Sequence, residues 1–123
     1  MLSDPRLPDN PIVFATPGFY KLTGYTPEQV LGRNCRFLQG SGTDPKSVDI
    51  VRKAIQSGSD CTVCLLNYKA DGTPFWNQFF VAALRDSDNC IVNYVSYLFL
   101  VCIYETICLW FEFESTREYD VLT

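Results

Sequence analysis

The spacing of apolar positions changes once along the chain, near residue 60. Before it they come in short groups set between Pro, Gly and Asp or Asn. Leu7 to Ala15 carries Pro8 and Pro11 ahead of Ile12-Val13-Phe14, which predicts a loop leading into a short strand. Thr16-Pro17 pairs an N-cap residue with proline at the first helical position and predicts a short helix to about Leu22, ended by Gly24-Tyr25. Thr26-Pro27-Glu28-Gln29 repeats the signal, with Gln29 placed to complete a capping box, for a helix to about Leu31. Asp44-Pro45 opens a third, in which Val48, Val51, Ala54 and Ile55 make one apolar face, ending near Ser57-Gly58.

From Cys61 onward the pattern is that of strands. Cys61–Tyr68 and Thr73–Leu84 flank Lys69-Ala70-Asp71-Gly72, a hairpin signal. Ser87-Asp88-Asn89 is the next turn, and Ile91–Tyr104 the next strand. A strand, three short helices and a three-stranded antiparallel meander describe an α+β domain. Residues 97–111 form a fifteen-residue stretch with one charge, Glu105. A membrane span needs about 20 residues, so no span is expected. A long buried or self-pairing strand fits better, and its apolar edge favours dimerisation or aggregation.

Composition narrows the function. At 123 residues the chain has room for one domain, and 47% hydrophobic against 20% charged residues excludes a disordered or fibrous chain. A net charge of −4 argues against a phosphate-tracking nucleic-acid binder. The absence of histidine removes the commonest metal ligand and the commonest general base. Six cysteines (Cys35, Cys61, Cys64, Cys90, Cys102, Cys108) make an even count. Met1 to Asn10 has no apolar h-region, so no signal peptide is expected and the thiols read as reduced, in a cytoplasmic or nuclear protein. Cys61-Thr-Val-Cys64 has the spacing of a metal knuckle but no second pair, and on a strand its two side chains point to opposite faces.

Chemistry concentrates in Gly32-Arg33-Asn34-Cys35-Arg36-Phe37-Leu38-Gln39-Gly40, one thiol among two amides and two cations in a connector between helices. A buried structural cysteine is one reading; an anion site using Arg36 and Arg52, whose forks suit phosphate, is another. With Gly72 at the centre of the hairpin, Asn67 faces Asn77 and both share a sheet face with Phe79, Val81 and Ala83, opposite Val63 and Leu65. Two amides on an apolar face need partners, each other or a planar heterocycle with imide edges. Apolar faces, two amides and an arginine pair suggest a flat ring carrying a phosphate tail.

Gly-Arg-Asn-Cys-Arg-Phe-Leu-Gln-Gly resembles the hallmark of LOV domains, the blue-light-sensing branch of the PAS fold. The runs beginning at Asp4 (Asp-Pro-Arg-Leu-Pro-Asp-Asn-Pro), Leu66 (Leu-Asn-Tyr-Lys) and Asp71 (Asp-Gly-Thr-Pro-Phe-Trp-Asn-Gln-Phe-Phe) resemble the same family, in the same order. The resemblance spans residues 3 to about 95 and is closest to phototropin, PAS/LOV and aureochrome types. It implies an antiparallel sheet and short helices enclosing FMN, and a reversible bond under blue light from the Cys35 sulfur to the flavin C4a carbon. It implies that Asn34 and Gln39 contact the ribityl chain or ring, that Arg36 and Arg52 hold the phosphate, and that Asn67 and Asn77 bond the pyrimidine edge. Asn10, Leu38, Val48, Val51, Ile55, Phe79, Val81 and Tyr94 would wall the pocket. Such a domain is a switch rather than an enzyme. The alternative is a PAS-type protein–protein interaction module with weak or no flavin binding, dimerising through its sheet face.

Two departures from the family matter. The first strand is reduced to Leu2-Ser3, with Ser3 where the family often has a hydroxyl near the ring. After Asn93-Tyr94-Val95 the family expects Gly-Val-Gln, and this chain has Ser96-Tyr97-Leu98. Leu98 has no donor or acceptor, and Gln78 is the last glutamine in the chain. This divides the chain into a LOV/PAS domain over 1–95 and a divergent last strand and apolar extension over 96–123, with weakened signal relay to an unidentified effector.

Overall fold

A computed structural model describes residues 1–101. The elements are β1 (Leu2–Ser3), β2 (Ile12–Phe14), α1 (Pro17–Thr23), α2 (Pro27–Val30), a 3₁₀ turn (Cys35–Leu38), α3 (Pro45–Ser57), β3 (Cys61–Tyr68), β4 (Pro74–Arg85) and β5 (Ile91–Val101). The expected strand to Tyr104 is therefore described to Val101, and residues 102–104 and the rest of the expected extension lie outside the described residues. Among the described residues no helix is long and apolar enough to cross a membrane.

Each predicted helix start works as its residues dictate. The Thr16 hydroxyl accepts from the Phe19 amide, and Gln29 Oε1 accepts from the Thr26 amide at 2.9 Å. The Asp44 carboxylate accepts from the Lys46 amide at 2.9 Å, and Gly58 closes α3 in a left-handed conformation. The 3₁₀ turn is an addition to the connector read from sequence. Asn34 caps it, its Oδ1 accepting from the Arg36 amide at 3.0 Å.

The sheet is antiparallel throughout, in the order β2-β1-β5-β4-β3. β1 is only two residues long, yet it joins β2 to β5: Ser3 pairs with Ile12 and with Tyr94. β5 runs unbroken through residues 95 and 96 and pairs with β4 from Ile91 to Val101, with one register shift where Leu84 pairs with Asn93 and Arg85 with Ile91. Cys61 packs against the inner core, whereas Cys64, on the opposite face of β3, pairs with Gln78.

The hairpin register corrects one expectation. Tyr68 pairs with Pro74, so the turn centres on Asp71, whose carboxylate accepts from the Thr73 amide at 2.9 Å, and not on Gly72. Gly72 takes the left-handed position after the centre, with φ of 85°. Moving the centre by one residue moves the pairing by two, so Asn67 lies opposite Phe75 and Asn77 opposite Leu65. An even shift keeps each side chain on its face, and the two asparagines still meet diagonally on the inner side.

Two apolar clusters lie on that side. Ile12, Ala15, Phe19, Val30 and Leu38 form one under the short helices. Val63, Leu65, Phe79, Val81 and Tyr94 form the other, between sheet and α3. Leu98 packs against both. The Tyr94 hydroxyl donates to the Ile55 carbonyl at 2.6 Å and ties β5 to α3.

The loop after the 3₁₀ turn lies against the end of β3. A Cβ on Gly40 would fall 2.3 Å from Tyr68 Cε2, while the Gly42 amide donates to the Tyr68 hydroxyl at 2.9 Å. Gly40→Ala should therefore destabilise the domain by about 1–3 kcal/mol, the usual cost of overpacking. The midpoint of chemical denaturation checks it, and an unchanged midpoint would show that the Tyr68 ring is free to move away.

Candidate functional site

Between the 3₁₀ turn, α3 and the inner sheet face lies a cavity of about 470 Å³, within the usual range for a small-molecule site. Asp9 and Asn10 bound it from the segment before β2. Asn34, Cys35, Arg36, Leu38 and Gln39 come from the turn, and Val48, Val51, Arg52, Ile55 and Gln56 from α3. Leu65 and Asn67 on β3 and Phe79 on β4 form the floor.

The turn is held from several directions. The Ile12 amide donates to the Arg33 carbonyl at 2.8 Å, and the Gly32 amide to the Ile12 carbonyl at 2.9 Å, so β2 fixes the chain just before Cys35. Asn34 Nδ2 donates to the Asp9 carbonyl at 2.8 Å. Phe37 meets the Tyr25 ring edge-on at 5.0 Å between centroids, and the Arg33 guanidinium lies over its other side at 4.7 Å. A tight turn with Phe37 and Leu38 anchored leaves Cys35 on the cavity side, half-buried against the cluster under the short helices. Burial pushes the Cys35 thiol above the ordinary thiol value, and the neighbouring Arg36 charge opposes that shift. At neutral pH the sulfur keeps its proton.

On α3 the i, i+3, i+4 spacing turns Val48, Val51 and Ile55 toward the second cluster. Arg52 is at the rim of the same helix and pairs with Asp49 one turn back, which also receives Lys53 at 2.9 Å. Arg36 pairs with Asp9 through both terminal nitrogens, each at 2.6 Å. The rim thus carries two guanidinium groups, each already matched to a carboxylate.

The floor carries the amides. Asn77 is fully buried; its Nδ2 donates to Asn67 Oδ1 at 2.8 Å, and its Oδ1 accepts from the Phe99 amide at 3.1 Å. Of the two readings of this pair, mutual satisfaction holds for the Asn77 amide, while Asn67 Nδ2 donates to the Leu66 carbonyl at 3.3 Å. Among the described residues, Asn10 Oδ1 is buried with no hydrogen-bond partner.

Of the residues expected at the site, Asn10, Asn34, Cys35, Arg36, Leu38, Gln39, Val48, Val51, Arg52, Ile55, Asn67 and Phe79 line the cavity. Ser3, Asn77, Val81, Tyr94 and Leu98 do not. Asn77 stands one hydrogen bond from Asn67, and Val81 and Tyr94 are core residues in the same cluster as Leu65 and Phe79. Ser3 is half-buried in β1, where its carbonyl accepts from Asn93 Nδ2 at 3.1 Å. Leu98 pairs with Phe79 on the inner face and is half-buried. Asp9, Gln56 and Leu65 line the cavity without having been expected there. Leu65 follows from the strand period already read; Gln56 lies one turn beyond Arg52 at the edge of α3, and Asp9 depends on a left-handed backbone that no local pattern announced.

The profile of the PAS domain family matches residues 4–100. Phototropin-1A of Oryza sativa subsp. japonica is 47% identical over 95 residues, 77% of this chain and 10% of that protein. A blue-light-activated histidine kinase of Brucella anthropi is 44% identical over 96 residues, 78% of this chain and 20% of that protein. The chain therefore spans a tenth to a fifth of these relatives. Among solved structures, the light-state LOV domain of the blue-light photoreceptor Aureochrome1 superposes with a TM-score of 0.83 at 55% identity, covering 94% of this chain and 88% of that one. A light-oxygen-voltage domain studied with a flavin analogue gives 0.83 at 52% identity, covering 95% and 85%. The chain belongs to the PAS domain family, and within it to the blue-light-sensing LOV domains.

Proposed function

We propose that this LOV domain binds FMN in the cavity and that Cys35 bonds reversibly to the flavin under blue light. The observation that carries the reading is the placement of a protonated thiol in the wall of an apolar cavity with amides on its floor and two arginines at its rim. The donor set fits the group. Asn10 Oδ1 is a buried acceptor that finds no donor among the described residues, and a ribityl hydroxyl or ring N–H would supply one. When bound, FMN supplies the absorption of blue light and a ring carbon, C4a, to which a thiol can add.

The chain's residues divide the remaining tasks. Leu38, Val48, Val51, Ile55, Leu65 and Phe79 exclude water from the ring's faces. Asn67, kept in place by Asn77, presents its amide to the polar edge, and Asn34 and Gln39 serve the ribityl chain or ring. Arg36 and Arg52 face the phosphate. Cys35 holds its proton at Sγ until the light reaction and regains it when the bond breaks, so nothing is turned over. Ser3, Val81 and Tyr94 support the wall from behind. Residues 1–95 are then the sensing unit, and at Leu98, on the inner face where the family carries glutamine, the relay into 96–123 is weakened.

Cys35→Ala should retain bound FMN and lose reversible bleaching at the flavin's blue absorption band, because the thiol supplies the bond and other residues the affinity. Illuminated absorption spectra of both proteins decide it; full bleaching in the mutant removes Cys35 from the role.

The protonated state of Cys35 has its own signature. In the dark, its alkylation rate, followed by peptide mass spectrometry, should keep rising with pH past the range in which an ordinary thiol levels off. Arg36→Ala should move that profile to still higher pH, since it removes a nearby positive charge that favours thiolate.

Leu98→Gln adds a side chain able to donate or accept on the inner face. The dark absorption band of the FMN-loaded protein should shift to longer wavelength, and light-dependent hydrogen exchange at residues 96–101 should increase. Identical spectra and exchange in the two proteins would mean that position 98 does not reach the flavin.

A further inference from the structure

The two rim arginines are held differently. Arg52 shares Asp49 with Lys53, all three on α3, so its carboxylate has a second cation when Arg52 moves. Among the described residues the Arg36 guanidinium is held by Asp9, 27 residues away, and Asp9 itself lines the cavity. The contact uses both terminal nitrogens of the guanidinium, the same fork that a phosphate takes. A carboxylate and a phosphate cannot both occupy that fork, and their like charges repel at such range. The backbone fixes where the Asp9 side chain starts: Asp9 has φ of 67° and Asn10 of 46°, and the Asp9 carbonyl is tied to Asn34. The Asp9 main chain cannot follow Arg36 into the cavity without releasing that tie.

We propose that Asp9 is a displaceable counter-ion for Arg36, which a flavin's phosphate must replace, so that Asp9 sets how strongly the cavity prefers a phosphorylated flavin over riboflavin. The inference rests on the flavin reading above. Without ligand the pair keeps the guanidinium folded onto the rim, and with ligand the carboxylate opposes the incoming phosphate. The Arg36 guanidinium holds the Asp9 carboxyl below the usual carboxylate range, so the opposition is present throughout the neutral range.

Asp9→Asn is the informative substitution, because asparagine tolerates the left-handed backbone as well as aspartate does and loses only the charge. The full chain, freed of flavin, is titrated with FMN and with riboflavin and followed by quenching of flavin fluorescence. Asp9→Asn should bind FMN about two- to fivefold more tightly than the wild type, the range an exposed ion pair commands, with riboflavin affinity unchanged. In an Arg36→Ala background the same substitution should alter FMN affinity by less than about twofold. Weaker or equal FMN binding by Asp9→Asn, with the wild type binding FMN normally, overturns the counter-ion and would make Asp9 a support for Arg36. Parallel losses for both flavins overturn it too, and mark a loop defect. A wild type that takes up neither flavin removes the flavin reading itself, and the counter-ion with it.

Discussion

Three strands meet in one side chain. Asn77 lies on β4, fully buried, donating to Asn67 on β3 and accepting from the backbone of Phe99 on β5. An amide so placed must be satisfied, since leaving a buried polar group unpaired costs about 1–3 kcal/mol. A slip of β4 by one residue would turn the amide to the outer face and break both bonds. The apolar neighbours could tolerate several registers; this amide tolerates one. The cavity floor, the packing of Phe79 against Leu98 and the attachment of β1 to β5 all follow from that register.

The site divides its tasks by depth. Aliphatic and aromatic side chains make the interior, where a thiol loses nothing by remaining neutral and a charge would be costly. Charged groups stay at the rim, each cation matched with a carboxylate in water, where an ion pair contributes little to stability. Such pairs can be exchanged for a ligand's charge at small cost to the fold, whereas the amides of the floor cannot be exchanged without unpairing a strand.

Much of this was legible because it is local. The helix starts at Thr16, Thr26 and Asp44 need only a capping side chain and a proline, both adjacent in sequence. The α3 wall needs only a 3.6-residue period, and the motif around Cys35 is distinctive by itself. What escaped was non-local or one residue too fine. Asp71 and Gly72 both suit the hairpin turn, and the choice fell to the Asp71 carboxylate, which caps Thr73. The 3₁₀ turn requires Asn34 to bond Arg36 and Asp9 together, and half of that contract lies 25 residues away. Val81 carried the right period for the inner face, and Ser3 and Tyr94 came from the resemblance, but neither signal says whether a residue faces a void or another side chain.

The left-handed backbone at Asp9 and Asn10 has a bearing on how this sequence can drift. Few residue types other than glycine, asparagine and aspartate settle there without strain. Two of those three are the short polar side chains that the rim itself uses, an acid for the guanidinium and an amide for the cavity. Selection for backbone shape and selection for chemistry therefore draw on the same small alphabet at adjacent positions. A change at either is confined to trading charge for amide, or side chain for none, so the rim can vary there in a few discrete steps and no others.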